Sequence, residues 1–194
     1  MFSTIELLLY IILPAYCVMG FCAWWIHRRN RADWNRTEPG DLYPGLRTSA
    51  FTMKRTQTNI PPPSSPTEPW GAIVEWVLPP NTITVVAFSD GSASLYLSGG
   101  GGGFGGQAYG PIRRAAQNAV RVAAEFQPEM QPTKEFPPPE PGIVIFYVLT
   151  DSGVFTSSAF AKGLANKSVP LFKLGDAMQE IVTAYRTTRE SATS

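Results

Sequence analysis

Residues 7–26 carry no charged side chain (LLLYIILPAYCVMGFCAWWI). As a helix rising about 1.5 Å per residue, this stretch covers about 30 Å, the hydrocarbon thickness of a bilayer. Trp24 and Trp25 stand at its end, where amphipathic rings favour the headgroup layer. Pro14 and Gly20 would break a soluble helix but are tolerated in a spanning one. The pattern therefore predicts one transmembrane helix. It lacks a basic n-region, exceeds a signal-peptide core in length and is followed by no small-x-small cleavage site, all of which point to an uncleaved anchor. Directly after it, Arg28, Arg29, Arg31 and Arg36 outnumber Asp33. The positive-inside rule then places the C-terminal bulk in the cytoplasm.

No sustained apolar period runs through residues 30–69, and five prolines (Pro61, Pro62, Pro63, Pro66, Pro69) punctuate its end. Such a stretch favours extended polyproline-type backbone and reads as a stiff juxtamembrane linker. Its scattered apolar residues (Trp34, Leu42, Tyr43, Leu46, Phe51) are more than a spacer needs, and the expected place for them is the membrane surface or a partner protein.

A folded texture begins at Trp70. Residues 72–77 and 82–88 are β-rich and separated by Leu-Pro-Pro-Asn, and Asp90-Gly91 marks a hairpin into residues 92–98. Pro111 opens a helix with Ile112, Ala116, Ala119, Ala123 and Phe126 at spacings of three and four. A second proline-rich loop leads to the buried-strand run 143–150, and Asp151-Ser-Gly153 turns the chain into 154–160. Residues 170–189 close as an amphipathic helix with Leu171, Leu174, Met178, Ile181, Val182 and Tyr185 on one face. The expected order, β-β-β-α-β-β-α, is an α+β fold: an antiparallel sheet with two helices free to cover one face. The division is 1–29 anchor with basic flank, 30–69 linker, and 70–194 α/β domain.

Element order and size resemble the profilin-like group, which includes roadblock and longin domains. The resemblance implies the fold by analogy, with no motif shared and no function attached. A second resemblance concerns Phe2-Ser-Thr-Ile-Glu6-Leu-Leu-Leu, which is similar to the start of a mature type IV pilin and would imply an externally exposed structural subunit. It departs from the pilin pattern in having no Gly before Phe2, no basic leader, and a basic cluster on what would be the outer side.

Composition sharpens this picture. The net charge of +1 over 194 residues argues against nucleic-acid binding, which needs a concentrated basic surface. Cys17, Cys22 and His27 all lie within the anchor and its flank, so residues 70–194 hold neither cysteine nor histidine. That excludes Ser-His-Asp and Cys-His nucleophile systems and the usual zinc sites there. Carboxylate chemistry is left to Asp90, Asp151 or Glu75, of which Asp90 and Asp151 sit in turns that such side chains commonly brace.

The run Ser98-GGGGGFGGQ is the most conspicuous local feature. Gly101, Gly103 and Gly106 formally match G-x-G-x-x-G between a strand and a helix, the context of a dinucleotide site. Arg113 and Arg114 beside the helix start would favour an anion there, and with Arg121 they form a basic face that lipid headgroups could also take. Against this stand the glycine richness that produces the match by composition, the hairpin context of the preceding strand, and the missing Gly-Lys-Ser/Thr of a P-loop. The loop 99–106 reads first as a plain loop, then as a partner-binding loop, then as a phosphate or nucleotide site. The expected function is a non-enzymatic, single-pass, membrane-anchored accessory or scaffolding subunit of a larger membrane complex. It is expected to need no cofactor or metal, and to take as partners the bilayer and other subunits, with no nucleic acid. A nucleotide- or anion-binding regulatory domain and a pilin-like subunit are the alternatives.

Overall fold

The computed structural model describes residues 39–192, and one compact unit begins at Pro39. Among the described residues there are four α-helices: α1 (Pro39–Thr52), α2 (Gly110–Phe126), α3 (Ala161–Ala165) and α4 (Phe172–Ala192). Seven strands accompany them: β1 (Gly71–Leu78), β2 (Asn81–Phe88), β3 (Ala93–Leu97), β4 (Gly102–Gly103), β5 (Gln131–Thr133), β6 (Ile143–Thr150) and β7 (Gly153–Phe160). The strands form one sheet in the order β4-β3-β2-β1-β6-β7-β5, antiparallel at every pairing. The α+β class holds. Short edge strands β4 and β5 extend the five expected from the alternation.

Register divides the side chains between two faces. On the first, Ala72, Val74, Val85, Ala87, Phe146 and Val148 are buried and receive α2 and α4. Helix α2 presents Ile112, Ala115, Ala116, Ala119, Val120 and Ala123, small residues that let it lie close to β2 and to α4. Helix α4 supplies Leu174, Met178, Ile181 and Val182. Here two amphipathic helices cover one face, as their periodicity predicts.

The other face differs from expectation. Residues 39–69, read as a linker outside the domain, supply α1 and a proline-containing segment that pack onto it. Ala50, Phe51, Ile60 and Trp70 join Ile73, Val86, Phe88, Tyr96, Tyr147 and Leu149 in one core, with Tyr43, Leu46 and Phe136 against it. The apolar residues Tyr43, Leu46 and Phe51, for which a membrane or partner surface was expected, are thus used within the domain. The proline segment is held by Ser152 N–H donating to Pro66 O (2.9 Å) and Trp70 N–H to Leu149 O (3.0 Å).

At the centre of this face lies Glu75, fully buried on β1. Arg47 of α1 meets it bidentately, Nε to Oε1 at 2.7 Å and Nη2 to Oε2 at 2.6 Å. Thr84 Oγ1 donates to Glu75 Oε1 at 2.7 Å and lies 2.9 Å from the Tyr43 hydroxyl. Arg47 Nη2 also donates to Phe136 O (2.9 Å) and Pro137 O (3.2 Å), so the second proline-rich loop is tied to the same group. Burial alone would lower the Arg47 pKa; hydrogen bonds and charge from Glu75 outweigh it and raise it. A second ion pair, Arg55 to Asp151 at 2.9 Å, pins the segment after α1 to the β6–β7 turn.

No helix among the described residues is long and apolar enough to cross a membrane. The expected span, residues 7–26, lies outside the described residues.

Removing one partner of a buried ion pair strands the other, at about 3–5 kcal/mol, whereas replacing both by apolar groups is often neutral. Arg47→Met is therefore expected to lower unfolding free energy by about that amount, and Arg47→Met combined with Glu75→Leu to recover most of it. Urea unfolding of the three proteins checks this.

Candidate functional site

The five site residues singled out from the sequence fall in three settings. Gly101 belongs to the turn that follows β3: its carbonyl accepts from Leu97 N–H at 3.1 Å, and its φ of +100° suits glycine. The next two glycines fold back as β4, pairing Gly102 with Tyr96 and Gly103 with Leu95. The run is thus the outer edge of an antiparallel hairpin. A pyrophosphate cradle instead opens a parallel strand–helix crossover.

Gly103 and Gly106 are positioned by Tyr185 of α4. A Cβ on Gly103 would lie 2.7 Å from the Tyr185 ring, and one on Gly106 would lie 2.2 Å from Ile112 Cγ2 and 2.9 Å from the Tyr185 hydroxyl. That hydroxyl donates to Ala93 O at 2.6 Å and accepts from the Gly106 amide. The spacing of Gly103 and Gly106 therefore has a packing cause: the backbone closes onto a buried tyrosine where no side chain fits.

Arg113 and Arg114 are both exposed and diverge. The Arg113 side chain lies over the β2–β3 turn, where a Cβ on Gly91 would meet its Cγ at 2.2 Å. Arg114 lines an open groove of about 700 Å³ between α2 and α4, together with Asn118, Asp176 and Glu180. Two carboxylates share that groove with one guanidinium, so it offers no net attraction for an anion. Arg121 pairs with Glu125 at 3.2 Å.

The carboxylates named from the sequence are also engaged. Asp90 accepts from the Ser92 amide at 2.8 Å and from the Ser92 hydroxyl, bracing its turn. Asp151 sits in a turn but serves Arg55, while Thr150 Oγ1 donates to Gly153 O to brace the turn (2.8 Å). Glu75 is closed inside the Arg47–Thr84 network. Among the described residues no three His, Cys, Asp or Glu side chains gather as a metal site.

Sequence reasoning missed Arg47 as the partner of Glu75. A signal was present: Tyr43, Leu46, Arg47, Ala50 and Phe51 follow helical spacing, but the stripe carries a cation at its middle. Among the described residues, four large apolar side chains stand exposed: Leu42, Phe104, Tyr109 and Phe160. No protein-family model, curated protein or solved structure matches the chain.

Filling the glycine contacts tests their role. Gly106→Ala and Gly103→Ala are each expected to cost about 1–3 kcal/mol by overpacking, read by urea unfolding. Millimolar nucleotides and dinucleotides are expected to give no calorimetric heat with the unsubstituted protein. Binding heat abolished by these substitutions would instead restore the loop as a ligand site.

The tyrosines supply a pH test. Burial pushes Tyr147 up to about 12, with the Glu75 charge adding to it. Burial likewise pushes Tyr185 up to about 12, against the opposing Gly106 amide. An unfolded tyrosine ionises near pH 10. Between pH 10 and about 12 the unfolded chain releases these protons while the folded chain holds them. Stability fully present below pH 10 is thus lost through that window. Tyrosinate absorbance should show one late-ionising group fewer in Tyr185→Phe than in the wild type; ionisation of Tyr147 and Tyr185 near pH 10 with the fold intact contradicts this.

Proposed function

We propose that this chain is a non-catalytic, single-pass membrane-anchored accessory or scaffolding subunit that presents its α+β domain within a larger membrane protein complex. The observation that carries the reading is the use made of the polar groups nominated for chemistry. Glu75 is neutralised by Arg47, Asp151 by Arg55, Asp90 braces its own turn, and the loop glycines close onto Tyr185. Each of these groups is bound to a structural partner within the domain. The uncharged stretch 7–26 and its arginine collar support the anchor and a cytoplasmic domain. The analogy to the profilin-like group accompanies this reading as an element order and adds nothing to the functional argument.

Confinement near a membrane raises effective concentration, so an anchored domain can act with modest contacts. The full-length protein, extracted in mild detergent from membranes of its native host after cross-linking, is expected to run above monomer size and to carry the same membrane proteins through two affinity steps. A lone monomer after cross-linking counts against the proposal. A reporter fused to the C-terminus and active only in one compartment is expected to report the cytoplasm; an external signal would favour the pilin-like arrangement.

A further inference from the structure

Among the described residues, four large apolar side chains are exposed: Leu42 (53%), Phe104 (52%), Tyr109 (50%) and Phe160 (71%). The first three belong to one edge of the domain. Phe104 directly follows β4 and lies 5.4 Å from Tyr96 of β3. Tyr109 ends the same glycine-rich segment and caps α2. Leu42 precedes Tyr43, whose hydroxyl contacts Thr84 of β2, in a helix that also packs over β3.

Two further observations say what covers this edge. Helix α1 runs from β2 and β3 toward β6, with Tyr43 at Thr84, Arg47 at Glu75 and Phe51 at Tyr147. The chain therefore joins the domain at the edge that carries the exposed side chains. In sequence, twelve residues separate the end of the uncharged stretch 7–26 from α1, a reach of at most about 45 Å. The whole segment from residue 91 to 110 is also free of charged residues, in a chain that is 16% charged. Bringing the segment's own side chains to a low-dielectric boundary desolvates no ion. Phe160, by contrast, lies at the far end of β7, with Lys162 two positions on.

We propose that the β3–β4 edge of the domain rests on the bilayer, with Leu42, Phe104 and Tyr109 in the interfacial layer. The inference rests on the anchored reading above and names the lipid surface as the occupant of this edge. The chemistry fixes the depth as well. Aromatic and aliphatic groups partition into the headgroup boundary. Edge strand β4 still carries backbone groups that hydrocarbon would leave unsatisfied. The edge therefore sits among headgroups and their water, with only the three side chains reaching toward the acyl chains.

The test uses the full chain in phosphatidylcholine vesicles, with Cys17→Ser and Cys22→Ser as background and a spin label on Phe104→Cys, Tyr109→Cys or Phe160→Cys. Labels at 104 and 109 are expected to be several-fold less accessible to a water-soluble nickel complex than the label at 160, and more accessible to oxygen. Equal accessibility at the three positions, in protein that resists alkaline extraction, overturns the lipid contact while leaving the anchor standing. Labels at 104 and 109 shielded from both reagents indicate a protein partner on this edge and also overturn it. Protein stripped from the vesicles by alkali overturns the anchored reading itself.

Discussion

A buried carboxylate at the middle of the sheet sets the terms for the rest of the structure. Glu75 lies on β1, flanked by β2 and β6, with none of its side chain exposed. An unpaired charge in such a place would cost a large part of a domain's net stability. Arg47 removes that cost, and because Arg47 belongs to α1, the helix must lie across this face. The guanidinium has donors left over, and the carbonyls of Phe136 and Pro137 take them. One negative charge thus orders three segments remote in sequence: the helix before the sheet, its central strand, and the loop before β6. The aromatic stacking of Phe51 on Phe136 and its edge contact with Tyr147 follow from that placement.

The sheet and the two helices on its first face were legible because each obeys one simple period. Residues 143–150 form a strand with the expected bounds, and α2 buries the small residues that its spacing nominated. Helix α1 was hidden for a physical reason. Its fourteen residues include Pro39, Gly40, Pro44 and Gly45, poor helix formers that erase the local signal. Its apolar stripe is broken by the arginine that makes it necessary. Tertiary pairing overrides propensity here, and a reading that scores positions only as apolar or polar has no place for a cation that belongs inside. Edge strands β4 and β5 escaped because two glycines and a proline-centred triplet carry no alternation.

The glycine run illustrates how the candidate site was partly legible. Its residues were recognised as unusual, yet the spacing that resembled a nucleotide fingerprint reports the approach of Tyr185, a residue about eighty positions later that no local pattern links to it. The same segment lacks charge along its whole length, and that property, visible in the sequence, gained meaning only when α1 was found to join the domain at the same edge. Side chains that were candidates for catalysis became parts of the framework, and the exposed apolar ones became the surface of interest.

The Tyr185 contact also has a consequence for how the chain is made. Its hydroxyl closes on Ala93, ninety-two positions earlier, and on the amide of Gly106. During synthesis neither group can meet this hydroxyl until the last helix has left the ribosome. Closure of this edge onto α4 is therefore a late event in the making of the domain.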